Sequence, residues 1–408
     1  MKKCIKILSI SFLLSLVFNL TNVFAEEAEK VKRLSFEEMI ELAKGSQVNF
    51  YGWGGDEKLN QWLDEVYGVK LKEKYDITLN RIPMDIDQIL SQLVSEKQAK
   101  ITESEIDMIW INGENFKSAR ENDLLFGPFT EKLPNYIKYI DRKELENIKD
   151  FGFPIEGYEA PYSKAQLVLI KDSAITQETP KNAEELLRYA KENPGMFTYP
   201  ALPDFTGSAF VRNIIYQFVD YQEFQNMDVN KEKLKEVIKP ALDYLKELSP
   251  YLWNQGKTYP SDGPALNNLF MDEEVNFYIT YTANEVADSI KDGTYPSTAQ
   301  SFIFDKGTVG NTNYIAIGKN SANKAAAIVA INEMLSPDMQ LSKYEHLGLI
   351  PVIDDKRIDD QTKVEFKALE NEKGTIPQDE LLAKRLPEMP AQLIPLIEEI
   401  WLEEVAGN

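Results

Sequence analysis

One cysteine and one histidine are all that 408 residues contain. The cysteine, Cys4, precedes the first apolar stretch, so the body of the chain offers no disulfide, no CxxC site and no thiol nucleophile. A single histidine, His346, excludes a multi-histidine zinc site, and a Ser-His-Asp triad would have to be built on it alone. Such a lone histidine reads as an ordinary surface or core residue. Positive charge is also in short supply: 45 Lys and Arg stand against 66 Asp and Glu, a formal net charge of −21. That balance excludes a nucleic-acid backbone as partner, because phosphate binding needs a basic face. A negative field instead favours the approach of cations. Internal repeats and low-complexity segments are absent as well, so a surface adhesin finds no support.

What is present describes a globular protein. Hydrophobic residues make up 43% of the chain, with 20 Phe, 19 Tyr and 5 Trp. The length can bury a large core and predicts two or three domains. At the N-terminus, Lys2, Lys3 and Lys6 precede a mostly apolar stretch over 7–18, and Val23 and Ala25 satisfy the small-residue rule of a cleavage site. Residues 1–25 are therefore expected to be a secretory signal peptide, and the mature protein to be periplasmic. Its removal would take three lysines and no acid, and leave a charge of −24. Cys4 lies before the apolar stretch and so cannot be a lipobox cysteine.

Strands and helices then alternate. Short apolar runs predict strands over 48–52, 77–82 and 106–111. Helical spacing links Leu59, Trp62, Leu63, Val66 and Tyr67, and again Ile86, Ile89, Leu90, Leu93 and Val94 behind an Asp85 cap. A β-α-β-α-β order of this kind implies a parallel sheet with right-handed crossovers. Gly, Pro and Tyr over 154–163 break the rhythm. A second alternating unit follows: strands over 166–171, 196–199 and 274–280, with helices over 182–192, 208–219, 231–248 and 282–291. Strands over 301–304 and 313–318 return to the first unit, and helices over 322–335 and 392–405 complete the chain. The fold class is α/β with two lobes: 26–160 plus 305–408 form lobe 1 and 161–304 form lobe 2. The chain crosses out near 155–170 and back near 300–315, and two crossings make a hinge and a cleft.

In open α/β sheets ligands gather beyond the carboxyl ends of strands, at helix starts. The first such loop holds Trp53, Gly54 and Gly55, where glycine permits close approach and Trp53 offers a flat face. Its alternative role is packing in a core. Asn112, Glu114 and Asn115 follow the third strand, either as a helix cap or as ligand contacts. Thr206, Gly207 and Ser208 supply hydroxyls and an amide concavity after a lobe-2 strand, with capping by Asp204 or Thr206 as the plainer reading. Thr282 and Glu285 form a capping box, which leaves Tyr281 and Asn284 as the ligand candidates of that loop. Asp354-Asp355 and Asp359-Asp360 lack EF-hand spacing and read as a solvated loop. No catalytic residue, metal or cofactor is expected.

Taken in order, Val48-Asn49-Phe50-Tyr51-Gly52-Trp53-Gly54-Gly55, Asp107-Met108-Ile109-Trp110-Ile111-Asn112-Gly113-Glu114-Asn115-Phe116, Leu125-Phe126-Gly127-Pro128-Phe129 and Gly348-Leu349-Ile350-Pro351 resemble the substrate-binding proteins of ABC transporters, and within them the YnjB-type branch. The likeness spans nearly the whole mature chain. It implies a type II periplasmic-binding fold that closes on a small polar solute and delivers it to a permease with a cytoplasmic ATPase. Relatives in the wider fold bind thiamine, polyamines, sugars, iron or oxyanions. The missing lipobox departs from many such proteins of single-membrane bacteria. In this reading Trp53 stacks on the solute, Glu114 pairs with a cationic group, and the Thr206–Ser208 amides and hydroxyls hold a polar or anionic end. The charge and Glu114 lean towards a cationic or zwitterionic solute, and a monomer is expected. A secreted glycoside hydrolase using two carboxylates is the alternative, since it too needs no Cys or His.

Overall fold

The computed structural model describes residues 31–369 and 373–406. The expected leader, with its cleavage site at Ala25, lies outside the described residues. In chain order the strands are β1 (Gln47–Gly52), β2 (Thr78–Pro83), β3 (Met108–Ile111), β4 (Leu125–Phe126), β5 (Lys149–Asp150), β6 (Phe153–Pro154), β7 (Glu159–Gln166), β8 (Val168–Asp172), β9 (Tyr278–Thr280), β10 (Ala299–Phe302), β11 (Thr308–Gly318) and β12 (Arg385–Pro387).

Two main sheets result. The first runs β12-β11-β3-β1-β2, with β4 and β7 also paired to β11. Within it β1 lies parallel to both β2 and β3. Parallel neighbours need helical crossovers. Residues 57–75 supply one, opened by Asp56, whose carboxylate accepts from the Leu59 amide at 3.0 Å. The Ile86–Gln98 helix supplies the other, although Asp85 makes no side-chain cap there. The second sheet is antiparallel, in the order β10-β8-β9.

Only Leu167 separates β7 in the first sheet from β8 in the second, and residues 303–307 lead back from β10 to β11. These are the two expected crossings. A third follows β12. From there the chain enters the Ile394–Trp401 helix, whose Ile394, Ile397, Ile400 and Trp401 join the apolar core of the second sheet. Trp401 packs on Tyr259 at 5.1 Å and donates Nε1–H to the Tyr199 hydroxyl. The expectation that all of 305–408 joins lobe 1 therefore gives way at this helix. The two other large apolar clusters, built from residues 31–162 and 315–366, lie about the first sheet.

Three elements differ from expectation for identifiable reasons. Strand β7 begins inside 154–163, where Pro154, Gly157 and Pro161 suggested a break. It pairs with β11 and makes one bridge from Lys164 to Ile350, and Pro161 sits where the register shifts between Asn313 and Tyr314, an irregularity that tolerates a proline. Residues 196–199 form no strand: the Met196 and Phe197 carbonyls accept from the amides of Asn276, in a loop, and of Trp253, at the start of a 3-10 turn. The helix expected over 231–248 is two, Lys231–Val237 and Lys239–Leu248, because Pro240 cannot continue the hydrogen-bond ladder of the first.

Candidate functional site

Because β1 and β3 are parallel, the loops that follow them lie at the same edge of the first sheet. After β1 the chain presses onto the end of β2: a Cβ on Gly54 would lie 2.5 Å from Pro83, and the Gly54 carbonyl accepts from Asn60 Nδ2 at 2.7 Å. A Cβ on Gly55 would fall 2.2 Å from the Trp53 ring. The indole thus lies against Gly55 and stays 58% exposed, outside any core. After β3, Asn112 donates Nδ2–H to Asn313 Oδ1 at 3.0 Å and makes no cap. The Gly113 amide is instead capped by the carboxylate of Asp150, from the β5–β6 hairpin. Gly113 has φ +60° and lies against the Phe151 ring, so a side chain there would meet both strain and contact. Glu114 is exposed and Asn115 half-buried beside it.

Across the hinge, the Phe205–Phe218 helix begins with Asp204 accepting from the Gly207 amide at 2.9 Å. A Cβ on Gly207 would approach the Pro200 carbonyl oxygen to 2.2 Å, so only glycine allows this turn. The capping alternative therefore describes this loop, and the Gly207 amide is already engaged. Thr206 is half-buried near Gly263. Phe205, 48% exposed, stacks obliquely on Tyr281 at 5.1 Å. Asn284 stands apart from this group: it lies beneath Gly348, whose φ of +62° ends a lobe-1 helix against it. Nearby, Lys58 of lobe 1 reaches Asp288 of lobe 2 at 3.8 Å. Glu285 hydrogen-bonds Thr280 and Tyr278 rather than closing a capping box with Thr282, and remains structural.

A buried polar network ties the third crossing to lobe 2. Arg212 donates to Glu388 through Nε and Nη2, both at 3.0 Å. Its Nη1 donates to Ser208 Oγ at 2.6 Å, and Ser208 donates on to Glu398 Oε1 at 2.7 Å. Tyr281 donates to Glu388 Oε1 at 2.7 Å. Burial disfavours a charge on Arg212, but Glu388 beside it outweighs this and holds the guanidinium protonated. Burial pushes the Glu398 carboxyl up, and Glu114 from the facing lobe pushes it further, while Ser208 and Arg212 oppose. Burial pushes the Asp150 carboxyl up, the Gly113 amide opposes this, and Glu114 and Glu388 add to the rise. Glu114, Asp150, Glu388 and Glu398 therefore share one electrostatic neighbourhood, reached from both lobes and the third crossing.

Of the expected residues, Ser208 and Tyr281 belong to this network in lobe 2, and Glu114 acts on it electrostatically from lobe 1. Asn112 and Asn115 lie at the same helix start as Glu114, Thr206 and Gly207 lie one turn or less before Ser208, and Trp53 and Gly54 follow β1. Arg212, Glu388, Glu398, Asp150 and Phe205 escaped the sequence reading. Arg212 left a signal, as a charge inside Ala209-Phe210-Val211-Arg212-Asn213-Ile214-Ile215. His346 is an exposed residue whose Nδ1 lies 2.7 Å from the Ser342 carbonyl oxygen. Asp354 and Asp359 cap backbone amides. Among the described residues, no helix is long and apolar enough to cross a membrane.

Two α/β lobes joined by crossing strands, with polar loops of both lobes meeting at the crossing, define a two-lobed binding protein that closes about a hinge. The chain belongs to the bacterial extracellular solute-binding protein family, whose model matches residues 67–368. It is 33% identical to Protein YnjB of Escherichia coli (strain K12) over 371 residues, covering 90% of this chain and 93% of that protein. Among solved structures it is similar to an ABC transporter protein from Clostridium perfringens, with TM-score 0.61, 18% identity and coverage of 88% and 98% of the two chains. It is also similar to the spermidine/putrescine ABC transporter substrate-binding protein PotD from Streptococcus pneumoniae, with TM-score 0.61, 14% identity and coverage of 87% and 99%. Likeness at such low identity carries the fold, the type II periplasmic-binding fold. The function is solute binding rather than catalysis, and the glycoside-hydrolase alternative is not carried further.

Proposed function

We propose that this chain is the extracytoplasmic binding subunit of an ABC importer, that its lobes close on a small organic cation, and that it delivers this cation to a membrane permease. One observation carries the charge assignment. Both helix starts that could hold an anion are capped by the chain's own aspartates, Asp150 at Gly113 and Asp204 at Gly207. The one buried guanidinium of the network, Arg212, is engaged by Glu388. Glu114 and Glu398 are then left facing the same space, with no ion pair to either among the described residues. A cation gains from that field, and an anion would meet it uncompensated. The spermidine/putrescine protein among the structural neighbours supports the same class of solute.

In this reading Trp53 and Phe205 present aromatic faces from opposite lobes, and Glu114 pairs with the cationic group. Asn112, Asn115, Thr206, Ser208 and Tyr281 supply polar contacts. Gly54 and Gly207 keep the backbone close, and Asn284 marks the rim. The leader over 1–25 would be cleaved on export to the periplasm, and the mature protein would act as a monomer. Calorimetric titration of the full mature chain with organic cations and anions of matched size tests the assignment. Binding confined to cations, weakened roughly 5–30-fold by Trp53→Ala and more by Glu114→Gln, is the expected result. Unchanged affinity in both variants would move the site elsewhere.

A further inference from the structure

We propose that the first lobe carries a built-in proton at neutral pH, on Glu159, and that this proton holds the hairpin–helix junction beneath the candidate site together. Glu159 opens β7, is fully buried, and has no hydrogen-bond partner for either carboxyl oxygen among the described residues. A carboxylate placed so would be desolvated without compensation, whereas a protonated carboxyl carries only the much smaller cost of an unpaired neutral polar group.

The surrounding groups decide where the proton sits. Asp150 adds to the cost of a charge on Glu159, and Arg120 opposes it. Arg120 points its guanidinium elsewhere: Nη2 reaches Glu156 Oε2 at 2.7 Å, the plane lies 3.4 Å over the Tyr158 ring, and Nε has no partner. It softens the local field without hydrogen-bonding Glu159. Asp150 accepts the Gly113 N–H at the start of a nine-residue helix, where backbone amides favour an anion. Glu114 adds negative field at Asp150, and Glu146, Lys149, Tyr314 and Glu388 line the same cavity as Asp150. Of two neighbouring buried acids, one has an amide donor and a helix start, and the other has nothing. Asp150 therefore takes the charge and Glu159 takes the proton.

The consequence is a dependence on alkaline pH. Burial, with Asp150 next, raises the Glu159 value above that of the unfolded chain. Its stabilisation is then complete below the ordinary glutamate range and is lost as pH rises through the folded value. Ionising Glu159 would set two charges side by side behind Gly113 and loosen the junction that positions Asn112 and Glu114.

The inference needs no knowledge of the solute. Infrared spectra of the full mature chain at pH 7 should contain a protonated-carboxyl band that is missing from Glu159→Gln and from the apolar Glu159→Met, and is retained in Asp150→Asn. Both Glu159 variants should fold, and the melting temperature of Glu159→Gln relative to the parent should rise from pH 6 to pH 9. The proposal is overturned if the difference spectrum at pH 7 shows lost carboxylate instead of lost carboxyl. It is equally overturned if both neutral variants fail to fold, or if the melting difference is flat with pH.

Discussion

Arg212 is the residue on which the polar contacts of lobe 2 and the third crossing converge, and its energetics are asymmetric. A buried pair adds little over a well-packed apolar substitute, but removing one partner leaves the other charge without compensation. Glu388→Ala should therefore cost about 3–5 kcal/mol in urea denaturation, while Arg212→Met combined with Glu388→Leu should recover most of that loss. If the double variant is as unstable as the single one, the network is held by something other than charge pairing. Trp53→Ala, by contrast, should change stability by no more than about 0.5 kcal/mol, because the ring is exposed. The same residues show what could be read in advance. Trp53 between glycines and Glu114 after a strand are candidates that local pattern alone can raise. Glu388 and Asp150 are not, because each acts on a residue distant in sequence, Arg212 at 176 positions and Gly113 at 37. Pairing at that range is a property of the fold and leaves no local trace.

At the level of elements, the caps do more than end helices. Asp204→Ala should cost about 1 kcal/mol of stability by thermal or urea melts. It should also admit anions that the parent rejects, because it frees the Gly207 amide and removes a charge. A parent-like preference for cations in this variant would separate capping from selectivity. Gly207→Ala should be destabilised by about 1–3 kcal/mol, since its Cβ would drive into the Pro200 carbonyl. The parallel strands β1, β2 and β3 were legible because each is a short apolar run between turn residues. Strand β7 was not, because an edge strand with a register shift tolerates Pro161 and so hides among loop signals. The cap by Asp204 was legible as an alternative, but which of two readings holds depends on the Pro200 carbonyl that packs against Gly207.

For the whole molecule, a further connection among the described residues joins the lobes after β12, and it fastens through Glu388 and the Ile394–Trp401 helix. The C-terminal helix was legible as a helix, yet its lobe depended on Trp401 finding Tyr199 and Tyr259, which no local pattern encodes. Lys58 with Asp288, and Asn284 beneath Gly348, already touch across the lobes. The acidic field should make association with a cation faster at low ionic strength, by stopped-flow fluorescence, with a much weaker effect on dissociation. The most direct measurement of the central claim is native mass spectrometry of the mature protein after exposure to a bacterial metabolite extract, followed by identification of what is released on unfolding. The account predicts one intact organic cation per chain, retained less by Glu114→Gln. Release of an organic anion or an oxyanion, or of a chemically altered molecule, would contradict it.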